Sequence, residues 1–181
     1  MQSSDQPKGP TRRQFVAAGA LGSASLAIGC KQGERGNREF LNREQERTLG
    51  VLCDQIIPAD DYPSATQAGV LDYIDRQLAR AYRRHRDAYQ QGLEAVGAMS
   101  RKRYGRPSDA LSPGNQLTLA QLVEKEEKNF FALVREHTME GYYGSPRHGG
   151  NHDAVSWRML GLTEPPLLGR AQYDLKNGGR S

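Results

Sequence analysis

The sequence has little of what redox and metal centres are built from. Only two cysteines, Cys30 and Cys53, stand in 181 residues. They form no disulfide framework, no CxxC pair, no CxxCH haem attachment and no Cys/His zinc spacing. A Gly-x-Ser-x-Gly elbow, a P-loop and a dinucleotide fingerprint are all missing. No apolar run reaches the roughly 18 residues a spanning helix needs. Mean hydropathy is -0.75, too polar for an integral membrane protein. Convincing period-2 alternation, internal repeats and low-complexity blocks are absent too, which leaves helices as the expected architecture.

An excess of one charge is also lacking. The net charge is +4, and Lys8, Arg12 and Arg13 against Asp5 contribute +2 of it. Beyond Cys30 the basic residues, such as Arg80, Arg83, Arg84, Arg101, Lys102 and Arg103, are interleaved with acids. With no aromatic ladder or binding motif, this pattern reads as a solvated or partner-facing surface and not a nucleic-acid site.

What is present begins with an address. Thr11-Arg12-Arg13-Gln14-Phe15-Val16 fits the twin-arginine export signal, with Arg12, Arg13 and Phe15 as its defining residues. Residues 15–28 follow as an uncharged stretch rich in Ala, Gly and Ser, mild enough for that route. Gly29 before Cys30 resembles a lipoprotein cleavage site, with Ala27 where a Leu is usual. Acylated Cys30 would tether the mature chain by lipid; the alternative is ordinary signal-peptidase cleavage nearby. Residues 1–30 are thus expected to be the signal and 31–39 a linker. A helical domain is expected over 40–165, and a polar tail or partner-binding arm over 166–181. The twin-arginine route carries folded proteins, so the chain, or a partner it brings along, must fold or load a cofactor first.

Within the domain, an all-α bundle of about five or six helices is expected. Asn42 with Gln45 three residues on reads as a capping box. Leu49, Leu52, Cys53 and Ile56 then share one face, and Pro58 ends the helix. Cys53 reads as a small buried hydrophobe. Residues 58–67 form a turn-rich loop; Asp60-Asp61 have too few further oxygen donors for calcium, and Ser64 or Thr66 would cap the next helix. That helix spans 68–82, with Val70, Leu71, Ile74 and Leu78 inward and Asp72, Asp75, Arg76 and Arg80 outward. A third spans 84–104, where Gly92 and Gly97 weaken the helix or allow close packing. Ser112-Pro113 starts a fourth, and a fifth runs from about 127 to 142.

The richest stretch is 141–162, GYYGSPRHGGNHDAVSWRMLGL, which holds the only Trp. Glycines at 144, 149 and 150 shape two turns. Asn151 or Asp153 caps a short C-terminal helix carrying Val155, Trp157, Met159 and Leu160. Two readings compete. As a contact surface, Tyr142, Tyr143 and Trp157 are anchors, Gly149, Gly150 and Asn151 shape the approach, and Asp153 belongs to the same block. As a catalytic or metal cluster, His137, His148, His152 and Asp153 would converge. The glycines between His148 and His152 break the helical spacing such a cluster needs, so contact is preferred.

TRRQF, LCDQIIPADDYPSATQAGVLDYIDRQL and FFALVREHTMEGYYGSPRHGGNHDAVSWRMLGL together resemble the gluconate 2-dehydrogenase subunit 3 family. His152 and Ala154 depart from the basic and larger apolar residues more typical of the GGN block. The resemblance implies a small, non-catalytic subunit of a membrane-associated dehydrogenase complex in the periplasm. It implies a flavoprotein large subunit of the glucose-methanol-choline type carrying FAD, and commonly a multihaem cytochrome c subunit carrying haem c. No cofactor is expected on this chain. The small subunit would escort the folded flavoprotein through the twin-arginine translocase. A stand-alone periplasmic lipoprotein, or a His-based metalloenzyme, are the alternatives; a flavin dehydrogenase gene beside this one would favour the complex.

Overall fold

A computed structural model describes residues 38–162. The export signal, Cys30, most of the linker and the tail beyond Leu162 lie outside the described residues. Six α-helices occur among those described, with no strand.

Helix α1 (Arg43–Ile56) starts as the sequence dictates. The Asn42 carboxamide accepts from the backbone N–H groups of Glu44 and Gln45, and Gln45 reaches back to the Asn42 N–H. Two orphan donors of the first turn are thereby satisfied. Leu49, Leu52 and Cys53 are fully buried, and α1 packs against all four long helices that follow. Burial pushes the Cys53 thiol up to about 12, while Thr138 Oγ1 donates to its sulfur at 3.3 Å. The thiol is held protonated and unreactive.

Helix α2 (Val70–Ala79) begins two residues later than the sequence suggests. Neither Ser64 nor Thr66 caps it; its N-cap is Gly69, at φ +82°. The loop instead folds back on α1. Thr66 donates through backbone N–H and hydroxyl to the Asp54 carboxylate, at 2.8 and 2.7 Å. Helix α3 (Arg86–Tyr104) follows a 3-10 turn over Arg83–His85. Gly92 has a packing reason: a Cβ there would lie 2.3 Å from the Phe130 ring, so α3 and α5 touch at that point. Helix α4 (Pro113–Glu126) has Pro113 in its first turn as expected, though the Ser112 side chain makes no capping bond. Helix α5 (Lys128–Tyr143) packs on α1, α2 and α4, and α6 (Val155–Met159) closes the described region.

One expectation about α2 is corrected. Asp75 does not face outward; it is 4% exposed, and its carboxylate accepts the backbone N–H groups of Glu39, Phe40 and Leu41 at 2.7, 3.0 and 2.8 Å. The segment before α1 lies across α2 and covers it. Arg38 continues this seam by pairing with Glu46 at 2.7 Å and with Asp72.

A moulded loop and an apolar face

The loop after α5 is built on close backbone approach. Gly150 sits so near α5 that a Cβ would lie 2.2 Å from the Gly141 carbonyl oxygen. Gly141 in turn faces the Tyr73 ring of α2, 2.9 Å from where its own Cβ would be. Loop, α5 and α2 are therefore stacked through two glycines. Asn151 locks the arrangement. It is fully buried, its amide donates to the Gly144 carbonyl at 2.9 Å, and its oxygen accepts the Ser156 N–H at 2.9 Å. Asn151 thus satisfies the first turn of α6, and Asp153 does not.

The conformation carries strain. Asn151, Asp153 and Ala154 take φ of 47°, 55° and 52°, a region costing about 1 kcal/mol or more for a residue with a Cβ. Asn and Asp visit it more readily than Ala. The His152 between them is pinned three ways. Its N–H donates to Ala68 O at 2.9 Å, and its Nε2 lies 3.1 Å from Gly149 O and 3.3 Å from Asp72 Oδ2. The ring also occupies the space a Cβ on Gly69 would fill. The atypical His152 of the GGN block is thus a tie between the loop and the start of α2.

The expected anchors divide into two groups. Tyr142 is 2% exposed, and its hydroxyl donates to the Pro63 carbonyl at 2.8 Å. Tyr142 and Asn151 are corrected from contact residues to internal struts, because their polar atoms are spent inside the chain. Gly150 is buried as well. Tyr143 is 37% exposed, and the partly exposed Trp157 indole donates to the Tyr143 carbonyl at 2.9 Å. Gly149, at φ +102° beside the Arg76 guanidinium, and Asp153 lie nearer the surface.

Tyr143 belongs to an apolar face that periodicity did not single out. Tyr62 and Met139 are exposed beside it, and Met159, Ile57 and Pro58 complete a groove of about 270 Å³. Leu160 and Leu162 are more than half exposed just beyond α6. The Met139/Tyr143 pair at i, i+4 on α5 is the sequence signal that would have found it.

His137, His148 and His152 do not converge. His148 and His152 are exposed on the loop. His137 is 3% exposed in the core, stacked on Tyr82 at 4.3 Å, with Nδ1 3.0 Å from the Tyr89 hydroxyl. Beside it, Glu140 accepts from Tyr82 and Tyr73 hydroxyls at 2.6 and 3.1 Å. Among the described residues no group of three or more His, Cys, Asp or Glu side chains is placed to hold a metal ion.

Burial lowers the His137 pKa to about 4, helped by His85 and Arg84 and opposed by Glu140. Unfolded, the ring takes its proton near pH 6.5. Between those values the unfolded chain binds more protons, so this stabilisation is complete above about pH 6.5 and is lost as pH falls towards 4. The full window is worth about 3 kcal/mol at most. Urea unfolding at pH 7 and pH 4.5 should show the native chain losing more stability than His137→Gln does; equal losses would mean the buried imidazole is not what titrates.

A family model described as Gluconate 2-dehydrogenase subunit 3 matches residues 43–163. No curated protein matches the chain, and no solved structure does.

Proposed function

This chain belongs to the gluconate 2-dehydrogenase subunit 3 family, and we propose on that premise that it is a non-catalytic subunit that escorts a folded flavoprotein dehydrogenase out of the cytoplasm. The partner is an FAD-carrying large subunit of the glucose-methanol-choline type that oxidises a sugar, sugar acid or polyol. A multihaem cytochrome c takes the electrons, and the assembly sits at the periplasmic face of the membrane. Residues 1–30 supply the twin-arginine address and, through Cys30, a lipid tether.

The observation that carries the docking half of this reading is the apolar face of Tyr62, Met139, Tyr143 and Met159. Its core residues Met139 and Tyr143 are 43% and 37% exposed on a rigid helix whose far side is core. Aromatic and Met side chains around a shallow groove are the composition of an interface centre. The glycine-stacked loop fixes Tyr143 and Trp157 beside it, so little ordering entropy is left for binding.

One co-expression experiment tests both halves. Arg12→Lys with Arg13→Lys should leave this chain and its flavoprotein in the cytoplasm, read as flavin in the periplasmic fraction. If flavin still reaches the periplasm, the escort role fails. Met139→Asp with Tyr143→Ser should lower recovery of the complex at least tenfold, since interface anchors are worth roughly 2 kcal/mol each. Turnover per bound flavin should not change; a large change would mean this chain takes part in the chemistry. Trp157→Ala should also reduce recovery, partly by freeing the Tyr143 carbonyl it now binds.

A further inference from the structure

The chain leaves α6 beside the apolar groove. Gly161 is left-handed at φ +67°, its N–H donates to the Arg158 carbonyl at 3.1 Å, and the Leu162 N–H donates to the Trp157 carbonyl at 2.7 Å. That pair of bonds is a Schellman turn, which ends a helix and fixes where the chain goes next. Trp157 donates through its indole to the Tyr143 carbonyl, and Met159 of the same short helix lines the groove. Leu162 is therefore held two hydrogen bonds away from Tyr143.

The residues that follow are Thr163-Glu164-Pro165-Pro166-Leu167-Leu168-Gly169-Arg170. Pro165 to Leu168 is the most apolar stretch after Leu162. Leu167 lies five residue steps from Leu162, a reach of at most about 18 Å. That exceeds the roughly 10–12 Å width of a helix, so the two leucines reach the groove. The fixed φ of the two prolines lowers the entropy lost on ordering them. The groove, about 270 Å³, is small for a cofactor cleft and suits a few side chains. Charge agrees with this occupant. Asp60 borders the groove and Asp61 follows it, both exposed and neither ion-paired among the described residues. Arg170 stands two residues past Leu168.

We propose that residues 165–170 of this same chain fold back over the groove and cover it until the flavoprotein takes their place. Leu167 and Leu168 pack on Met139, Tyr143 and Met159, and Arg170 meets Asp60 and Asp61. The displacement rests on the docking reading above; the cover does not. A segment tethered this closely acts at an effective concentration near millimolar, so weak contacts close the groove and a tighter partner opens it. A free subunit with its apolar face covered is also protected from unspecific association.

The test reads the Met139 thioether, which is 43% exposed. The full chain, without flavoprotein, is treated with dilute hydrogen peroxide, which passes one oxygen atom to the sulfur and leaves water. Sulfoxide at Met139 is followed by mass spectrometry, with Met99 of α3, which does not line the groove, as the reference. Leu167→Asp with Leu168→Asp should raise the Met139 rate at least about fivefold and leave Met99 unchanged. Tyr173→Ser with Leu175→Ser should change neither. An unchanged Met139 rate in the Leu167/Leu168 variant would overturn the proposal. So would native protection that fades on dilution, which would give the groove to a second copy of the chain. Co-expression then separates the two readings. The Leu167/Leu168 variant should recover at least as much flavoprotein as the native chain, because a competitor is gone. A loss would make the segment an arm that grips the partner and would overturn the cover. If that variant bares Met139 while Met139→Asp with Tyr143→Ser leaves flavoprotein recovery intact, the cover stands and the docking reading, with its displacement, falls.

Discussion

Gly150→Ala is expected to cost the domain more than 3 kcal/mol and to lower its thermal midpoint by roughly 10 °C or more. The reason is contact and not dihedral. The added Cβ would stand 2.2 Å from the Gly141 oxygen and 2.9 Å from its carbonyl carbon, both backbone atoms inside α5. No rotamer change relieves that overlap, so either the loop lifts off or α5 bends. Lifting the loop breaks the Asn151 bond to Gly144 and the Trp157 bond to Tyr143 in one event. The neighbouring glycine gives the contrast. At Gly149 the nearest atoms belong to the flexible Arg76 side chain, so Gly149→Ala meets chiefly the cost of φ +102°. Differential scanning calorimetry on the two variants decides the matter: similar midpoints would mean the loop does not depend on its approach to Gly141. Because Tyr143 leads into that loop, Gly150→Ala should also weaken recovery of the proposed flavoprotein partner, whereas Gly105→Ala, which meets nothing within 4 Å, should not.

The contrast between these glycines shows where sequence reading stops. The glycines of residues 141–150 are visible as glycines, and turns follow from them. Which one is irreplaceable depends on the separation of loop and helix, a tertiary quantity. The same limit explains the tyrosines. Tyr142 and Tyr143 are one residue apart, a rotation of about 100° on a helix. A helix taken to end near 142 does not say which ring enters the core. Local signals fared better. The Asn42/Gln45 capping box is self-contained within four residues, and it forms as read. Pro113 at the start of α4 is equally local. Thr66 does not cap α2 because its hydroxyl and N–H go to Asp54, twelve residues away, and Ser64 is paired instead with Gln67 in the turn before α2, accepting its N–H at 3.4 Å while the Gln67 side chain accepts the Ser64 N–H at 2.8 Å. Two missed residues did have signals. His137 lies on the Phe130, Val134, Gly141 stripe of α5, which marks it as a core side chain. Asp75 lies four residues after Leu71 and three before Leu78, inside the apolar stripe of α2. Charge suggested an outward position, while spacing pointed inward. Spacing was the better guide, because a carboxylate in a stripe goes inside when backbone donors are brought to it.

Asp75→Ala is accordingly the second change expected to have a large effect, about 3–5 kcal/mol. Three backbone N–H groups lose a charged acceptor at once, and that of Leu41 lies in a buried site with no replacement partner. Hydrogen bonds of this kind do not add, since all three donors belong to one short segment that would detach together. Asp75→Asn should fall between, because one oxygen still accepts while the amide turns a donor towards donors. Asp72 on the same helix is the control. Its side chain is 42% exposed, its partner His152 is 49% exposed, and the more buried Arg38 keeps Glu46 as a partner at 2.7 Å, so Asp72→Ala should cost about 1 kcal/mol or less. Hydrogen exchange makes the difference specific: in Asp75→Ala the amides of Glu39, Phe40 and Leu41 should lose protection far more than those of α4. If they exchange as in the native chain, the carboxylate does not hold the segment.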